Sequence, residues 1–428
     1  MRKPIFLFLL LSTLAYAQSY IISTIPLPKS YVQNLDPYPC DETCLNDLIK
    51  HEQIFSFLAH AQGKVENRVL NDERLIYVSL FNIGSFMHST NLRIALLLPS
   101  KLIGRYAAST TNSVFSYMLT KNKDFSLKTF QIDDESPQSI HNALQRIQQE
   151  QFYYVIAPLT HNGVQSVVDI DPEINVYFPT INKHEIESDS SSLFFGGINY
   201  KAQTEKLMRE STEPLVIFYD NSLLGKRLRD YAKTAYNSMD QVDDRYENSQ
   251  YIDASKSYRY GTSKKVFHYP VGKYTSNLER QLKNNNKIQD GTFFLNTPII
   301  KSGLVMSQLT LFDVNVTNIL STQINYDPLI LSITQAKDRH NMIIANSINL
   351  QNNIIIESNA LMGNDIVYDW INYATTVGID YFFHLITKSK REYELLMVDN
   401  QIIYPITLVQ PSYSRFTPYI QYDDHEEY

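Results

Sequence analysis

Leu92-Arg-Ile-Ala-Leu-Leu-Leu-Pro99 is an apolar run of strand length, continuous from Ile94 to Leu98 and ended by a proline. Such a run predicts a strand buried on both faces, the environment of a parallel sheet covered by helices. The chain around it repeats that texture. A helix-length segment runs from Leu102 to Leu119, then strand-like Phe125 to Ile132, then helical Ser136 to Glu150. Tyr153-Tyr-Val-Ile-Ala-Pro158 is a second buried strand, and Thr160 stands where it can cap a helix reaching about Val168. Ile174 to Pro179 and Leu193 to Ile198 are further short apolar strands.

The alternation then restarts. Pro214-Leu-Val-Ile-Phe-Tyr-Asp220 reads as a strand and Ser222 to Tyr236 as a helix rich in lysine and arginine. Residues 237–262 are polar, and Val266 to Val271, a helix from Ser276 to Asn284, and Thr292 to Leu295 continue the pattern. Strands alternating with helices imply parallel sheets with helices on both faces. Two successive runs imply two similar lobes. The expected division is a first α/β lobe at 91–200, a second at 201–345, and a segment at 346–420 returning between the lobes and ending in a hairpin.

The ends carry different information. Arg2 and Lys3, the apolar stretch from Pro4 to Leu14, and Ala15-Tyr16-Ala17 form a secretory signal, with Gln18 as the expected new terminus. The stretch is shorter than the roughly 20 apolar residues a membrane-spanning helix needs. A soluble protein exported to a periplasm is therefore expected. Residues 18–90 read as an extended, proline-bearing arm and a helical extension, with helical spacing over 41–62 and no clear assignment for Val65 to Phe81. Residues 421–428 form an acidic tail. Cys40 and Cys44 are the two cysteines, and an isolated close pair in an oxidising compartment most simply forms a local disulfide.

Composition narrows the function. The 43% hydrophobic and 12% aromatic content is that of a globular protein. Loss of Arg2 and Lys3 with the signal lowers the formal charge of −7 by two, to −9, against a nucleic-acid partner. No GxSxG, HExxH, phosphate-binding loop or dinucleotide fingerprint occurs, and the ten histidines are dispersed. A non-enzymatic protein without cofactor or metal is expected. The acids Asp133 and Asp134 read as solvated charges. Asp313-Val-Asn-Val-Thr317 contains an Asn-x-Thr acceptor at Asn315, and its valines also allow an ordinary strand.

Several motifs taken in order resemble a family. Arg93-Ile-Ala-Leu-Leu-Leu-Pro-Ser100 followed by Gly104-Arg-Tyr-Ala-Ala108, Tyr154-Val-Ile-Ala-Pro-Leu-Thr160, and Phe195-Gly-Gly-Ile198 resemble the first lobe and crossover of type I periplasmic binding proteins. Leu215 to Asp220 with Leu224-Gly-Lys-Arg-Leu228 is similar to the opening of the second lobe, and Asn364 to Trp370 to a late helix that shields bulk solvent. The likeness covers roughly 91–410 and is greatest to the branch containing the lipoprotein activator of penicillin-binding proteins. It implies an α/β, two-lobed fold with a hinge and a cleft whose walls would include Ser100, Tyr106, Ala107, Pro158, Thr160, Asn182, Tyr200 and Asp220. Thr160 is either a plain helix cap or, with the free N–H groups beside it, a carboxylate ligand. Leu224 replaces the aromatic usual in amino-acid binders, and Lys101 and Leu102 interrupt their small polar residues. The resemblance with these departures implies a regulator or scaffold for another envelope protein. The alternative is a soluble binder of a small polar, amino-acid-like ligand.

Overall fold

The structure, a computed structural model, describes residues 32, 36, 38–61, 63–81, 83, 92–121, 123–238, 264–349 and 351–420. The leader, most of the arm, the polar stretch beyond residue 238 and the acidic tail lie outside the described residues. Three helices come first: α1 (Glu42–Lys50), α2 (Ile54–His60) and α3 (Arg68–Leu80). Asp41 caps α1 by accepting the Cys44 N–H at 2.9 Å. Cys40 and Cys44 are joined in a disulfide across that same first turn. The helical spacing over 41–62 is broken at 51–53, where Glu52 takes a positive φ of 58°. The stretch at 65–81 is helical from Arg68, because the Asn67 side chain accepts the free N–H groups of Val69 and Leu70. The three helices enclose a small core of their own around Leu45, Phe57, Leu58, Ala61 and Leu70.

The first lobe contains β1 (Arg93–Leu98), α4 (Ser100–Ile103), α5 (Arg105–Leu119), β2 (Ser126–Gln131), α6 (Pro137–Gln149), β3 (Tyr154–Ile156), α7 (His161–Ile170), β4 (Asn175–Phe178) and β5 (Leu193–Phe195). The chain then crosses over into α8 (Tyr200–Met208), β6 (Leu215–Tyr219), α9 (Leu223–Ser238), β7 (Val266–Pro270), α10 (Glu279–Leu282), β8 (Gly291–Asn296), α11 (Ile299–Leu311), β9 (Val316–Ser321), α12 (Leu329–Ile333) and β10 (Met342–Asn346). It recrosses with α13 (Asn353–Leu361), α14 (Trp370–Thr387), β11 (Leu396–Val398) and β12 (Gln401–Ile403), and finishes with β13 (Thr407–Pro411) and β14 (Phe416–Pro418).

Two seven-stranded mixed sheets result, and they share one plan. In the first, β2-β1-β3-β4-β5 are parallel, with β12 and then β11 added at the edge. In the second, β7-β6-β8-β9-β10 are parallel, with β13 and β14 added antiparallel at the matching edge. The two lobes expected from the repeated alternation are therefore present. β1 shows why its run is unbroken. Ile94, Leu96 and Leu98 face one core, shared with α5 and α14, while Ala95 and Leu97 face the other, shared with α6 and α7.

Local differences from the sequence reading have physical causes. The segment Leu102–Leu119 is two helices, because Gly104 adopts φ 54°, ψ −122°, a conformation open essentially to glycine alone. Ser276–Asn284 condenses to the single turn α10, with Leu278 N–H drawn to the Gln308 side chain at 2.6 Å. Asn364–Asp369 is not helical. It is a turn-rich approach that ends where Asp369 caps α14. Among the described residues no helix is long and apolar enough to cross a membrane.

The returning helix α14 is held by a buried charge. Asp380, fully buried, accepts the Tyr117 hydroxyl at 2.7 Å, the Glu392 N–H at 2.9 Å and the Tyr393 N–H at 3.3 Å, and pairs with Arg391 at 3.4 Å. Burial first, and then the Asp380 charge, raise the Tyr117 hydroxyl far above the usual phenol range, so it remains a donor. Removing Asp380 strands these donors. Asp380→Ala is expected to cost about 3–5 kcal/mol in urea unfolding, and Tyr117→Phe about 1.5–3 kcal/mol. A wild-type midpoint for Asp380→Ala would show that this carboxylate does not hold α14.

Candidate functional site: the cleft between the lobes

A cleft of about 730 Å³ opens where the carboxyl ends of the two sheets face each other. This is the position at which doubly wound sheets bind ligands, and the volume suits a small molecule. The first lobe supplies the start of α5, the loops after β3 and β4, and the approach to α14. The second lobe supplies mainly the residues after β9, from Gln323 to Asp327.

Four of the eight residues singled out in the sequence line this cleft: Tyr106, Pro158, Thr160 and Tyr200. The other four have different surroundings. Ser100 opens α4, with a buried hydroxyl that has no protein partner. Ala107 packs into the core between α5 and the sheet. Asn182 is buried, donates to Gly197 O at 2.9 Å, and borders a separate groove beside the β11–β12 hairpin. Asp220 accepts the Ser222 N–H at 3.2 Å and its hydroxyl at 2.5 Å, and so shapes the start of α9. Asn315 lies exposed just before β9, its side-chain amide donating to Asp290.

Thr160 occupies the cap position of α7, yet its side chain makes no cap bond. The Thr160 N–H donates to Glu135 Oε1 at 2.8 Å, and the Thr160 hydroxyl donates to Glu135 Oε2. Glu135, 8% exposed, thus lays its carboxylate where an incoming carboxylate would meet the helix N-terminus. Gly163 makes the room: a Cβ there would stand 2.6 Å from Glu135 Cδ. The acidic run reads differently in three dimensions. Asp133 pairs with Lys101 at 2.9 Å. Asp134 accepts from Ser136 and Ser139, which lowers its carboxyl to about 2. Glu135, one residue further, turns inward. The sequence offered a signal for it only in its place just before the Ser136 cap.

The remaining wall is aromatic and acidic. Tyr326 of the second lobe meets Tyr368 with ring centroids 5.3 Å apart and Phe416 at 4.7 Å, closing one side of the cleft with an aromatic cluster. Burial, then the charges near it, push the Tyr326 hydroxyl up to about 12. Burial raises the Asp369 carboxyl, countered by its bonds from the Asn372 and Ile371 N–H groups and by Arg105. On another side the lobes are bridged by an ion pair between Arg227 of α9 and Glu185 of the first lobe. None of Glu135, Gln323, Tyr326, Arg227 and Glu185 stands out in the sequence, because each depends on partners 24 to 120 residues away.

No family model matches the chain, and no curated protein sequence matches it. Solved structures do. The branched-chain amino acid substrate-binding protein LivJ from Streptococcus pneumoniae, solved with isoleucine, superposes with a TM-score of 0.52 at 9% identity, over 76% of this chain and 98% of its own. A putative branched-chain amino acid ABC transporter protein from Rhodospirillum rubrum gives 0.56 at 7%, over 77% and 100%. LpoA from Haemophilus influenzae gives 0.50 at 11%, over 89% of this chain and 72% of its own. At these identities the likeness is one of fold. The chain shares with these structures a two-lobed α/β fold, that of type I periplasmic binding proteins.

Proposed function

We propose that this is a non-enzymatic, periplasmic regulator or scaffold that binds another envelope protein, with a penicillin-binding protein as the leading partner class. The observation that carries the reading is the seat at α7. Its donors, Thr160 N–H and hydroxyl, are satisfied by the chain's own Glu135. A solute carrying a carboxylate would have to displace a buried, already paired acid to use them, and would gain little. Two further features support it. The three-helix extension has its own core and adds surface outside the lobes. Superposition on LpoA takes in 89% of the chain, against 76% for LivJ. The signal ending at Ala17 supports export.

Two measurements test this. Scanning fluorimetry of the mature protein with neutral amino acids should show no stabilisation, where a ligand at one hundred times its Kd would add about 2.7 kcal/mol. Glu135→Ala should lose about 1–3 kcal/mol through its two stranded donors. That variant, unlike the wild type, should be restabilised by millimolar acetate in the emptied seat. A wild-type shift with an amino acid, abolished by Thr160→Val, would sink the regulator reading in favour of solute capture. Pull-down from envelope extracts with the full mature chain should recover a penicillin-binding protein, and less of it when residues 38–83 are removed.

A further inference from the structure

We infer that the open part of the cleft takes a small cationic amine that also carries a hydrogen-bond-accepting oxygen. This site goes beyond partner binding and does not require it. The charged residues lining the cleft are Arg105 and three aspartates, Asp327, Asp365 and Asp369, so the wall is acidic on balance. In each aspartate one oxygen is anchored by nearby backbone. Asp327 accepts the Leu329 N–H at 2.8 Å, Asp365 the Val367 N–H at 2.7 Å, and Asp369 the Ile371 N–H at 2.9 Å. The carboxylates are thereby held in place with the second oxygen of each still available.

An independent observation points to the other half of the ligand. Gln323 stands in the cleft wall and is only 5% exposed. Its Oε1 accepts the Ser347 N–H at 2.7 Å, which fixes the orientation of the amide. Its Nε2 has no partner. A buried amide donor left unpaired is costly, and an acceptor oxygen on a ligand would satisfy it. The Trp370 indole N–H, in the same wall, is likewise without a partner. Tyr200, Tyr326 and Trp370 stand in the same wall, and an ammonium group is favoured beside aromatic rings. The carboxylate seat is already filled by Glu135, so the complementary ligand is net cationic and not zwitterionic.

Trp370 is the single tryptophan of the chain, so its fluorescence reports on this wall alone. The full mature protein would be titrated with ethanolamine and glucosamine, and with N-acetylglucosamine and glucuronate as uncharged and anionic counterparts. The expected result is a saturable change with both amines at millimolar concentration, and at least about tenfold weaker response to the two counterparts. Asp369→Asn and Asp327→Asn, which keep the local caps, should each weaken the amines by about tenfold. Both variants should leave partner pull-down unchanged, so failure here is separable from failure of the regulator reading. No saturable change with either amine would overturn the inference. So would equal or tighter binding of N-acetylglucosamine or glucuronate, or full retention of amine binding in Asp369→Asn and Asp327→Asn together.

Discussion

Gln203, at the start of the second lobe, is the point where the crossings between the sheets are tied together. Its Nε2 donates to the Ser347 hydroxyl at 2.8 Å, and its Oε1 accepts the Gln323 N–H at 3.0 Å. Ser347 returns the link by donating its N–H to the Gln323 side chain. The first crossing, the second crossing and the loop after β9 are thus closed into one ring of buried hydrogen bonds. The third crossing joins it nearby, with Lys206 Nζ on Ile406 O at 2.6 Å and the Thr407 hydroxyl on Asn346 O at 3.2 Å. A buried network of this kind is worth keeping only when every member is satisfied. The single unsatisfied atom in the ring is Gln323 Nε2, and it belongs to the residue that faces the cleft.

That ring decides what the cleft can do. It sets the two walls at a fixed hinge, while the Tyr326–Tyr368–Phe416 cluster and the Arg227–Glu185 pair tie the lobes away from the hinge. Such ties favour the arrangement seen here over a more open one, and a ligand moves the balance only by its differential affinity for the two. Glu135 adds to the same bias. By accepting both the N–H and the hydroxyl of Thr160 at the start of α7 from within the first lobe, it occupies the place an incoming carboxylate would take in a solute binder.

The returning segment shows a division of labour between the lobes. Helix α14 and the β11–β12 hairpin belong by packing to the first lobe, although they follow the second in sequence. The apolar face of α14 shares one core with β1 and α5, and Asp380 adds a polar tie, accepting from Tyr117 of α5 and from residues 391–393 of its own segment. The two lobes are therefore built alike over five parallel strands, and differ at the edge where the chain returns.

Local pattern alone determined the strands, most of the helices and the repetition of the plan. β1, β3, β6 and their companions are unbroken apolar runs, and a run buried on both faces leaves a mark within a few residues. The Cys40–Cys44 pairing was legible too, since the two cysteines stand only four residues apart, and the bridge joins the residue before the Asp41 cap to the first turn of α1. The breaks at Gly104 and Glu52 were harder, because one residue in the left-handed region leaves the hydrophobic spacing on either side intact. The site lay largely beyond local reading. Tyr106, Pro158, Thr160 and Tyr200 could be placed near the cleft only through the family resemblance of the motifs around them, and their roles could not be placed at all. Whether Thr160 is free, capped or occupied depends on Glu135, 25 residues earlier; whether Gln323 is satisfied depends on Ser347 and Gln203. A hydrogen bond or an ion pair is a property of two groups, and only the tertiary structure decides which two meet.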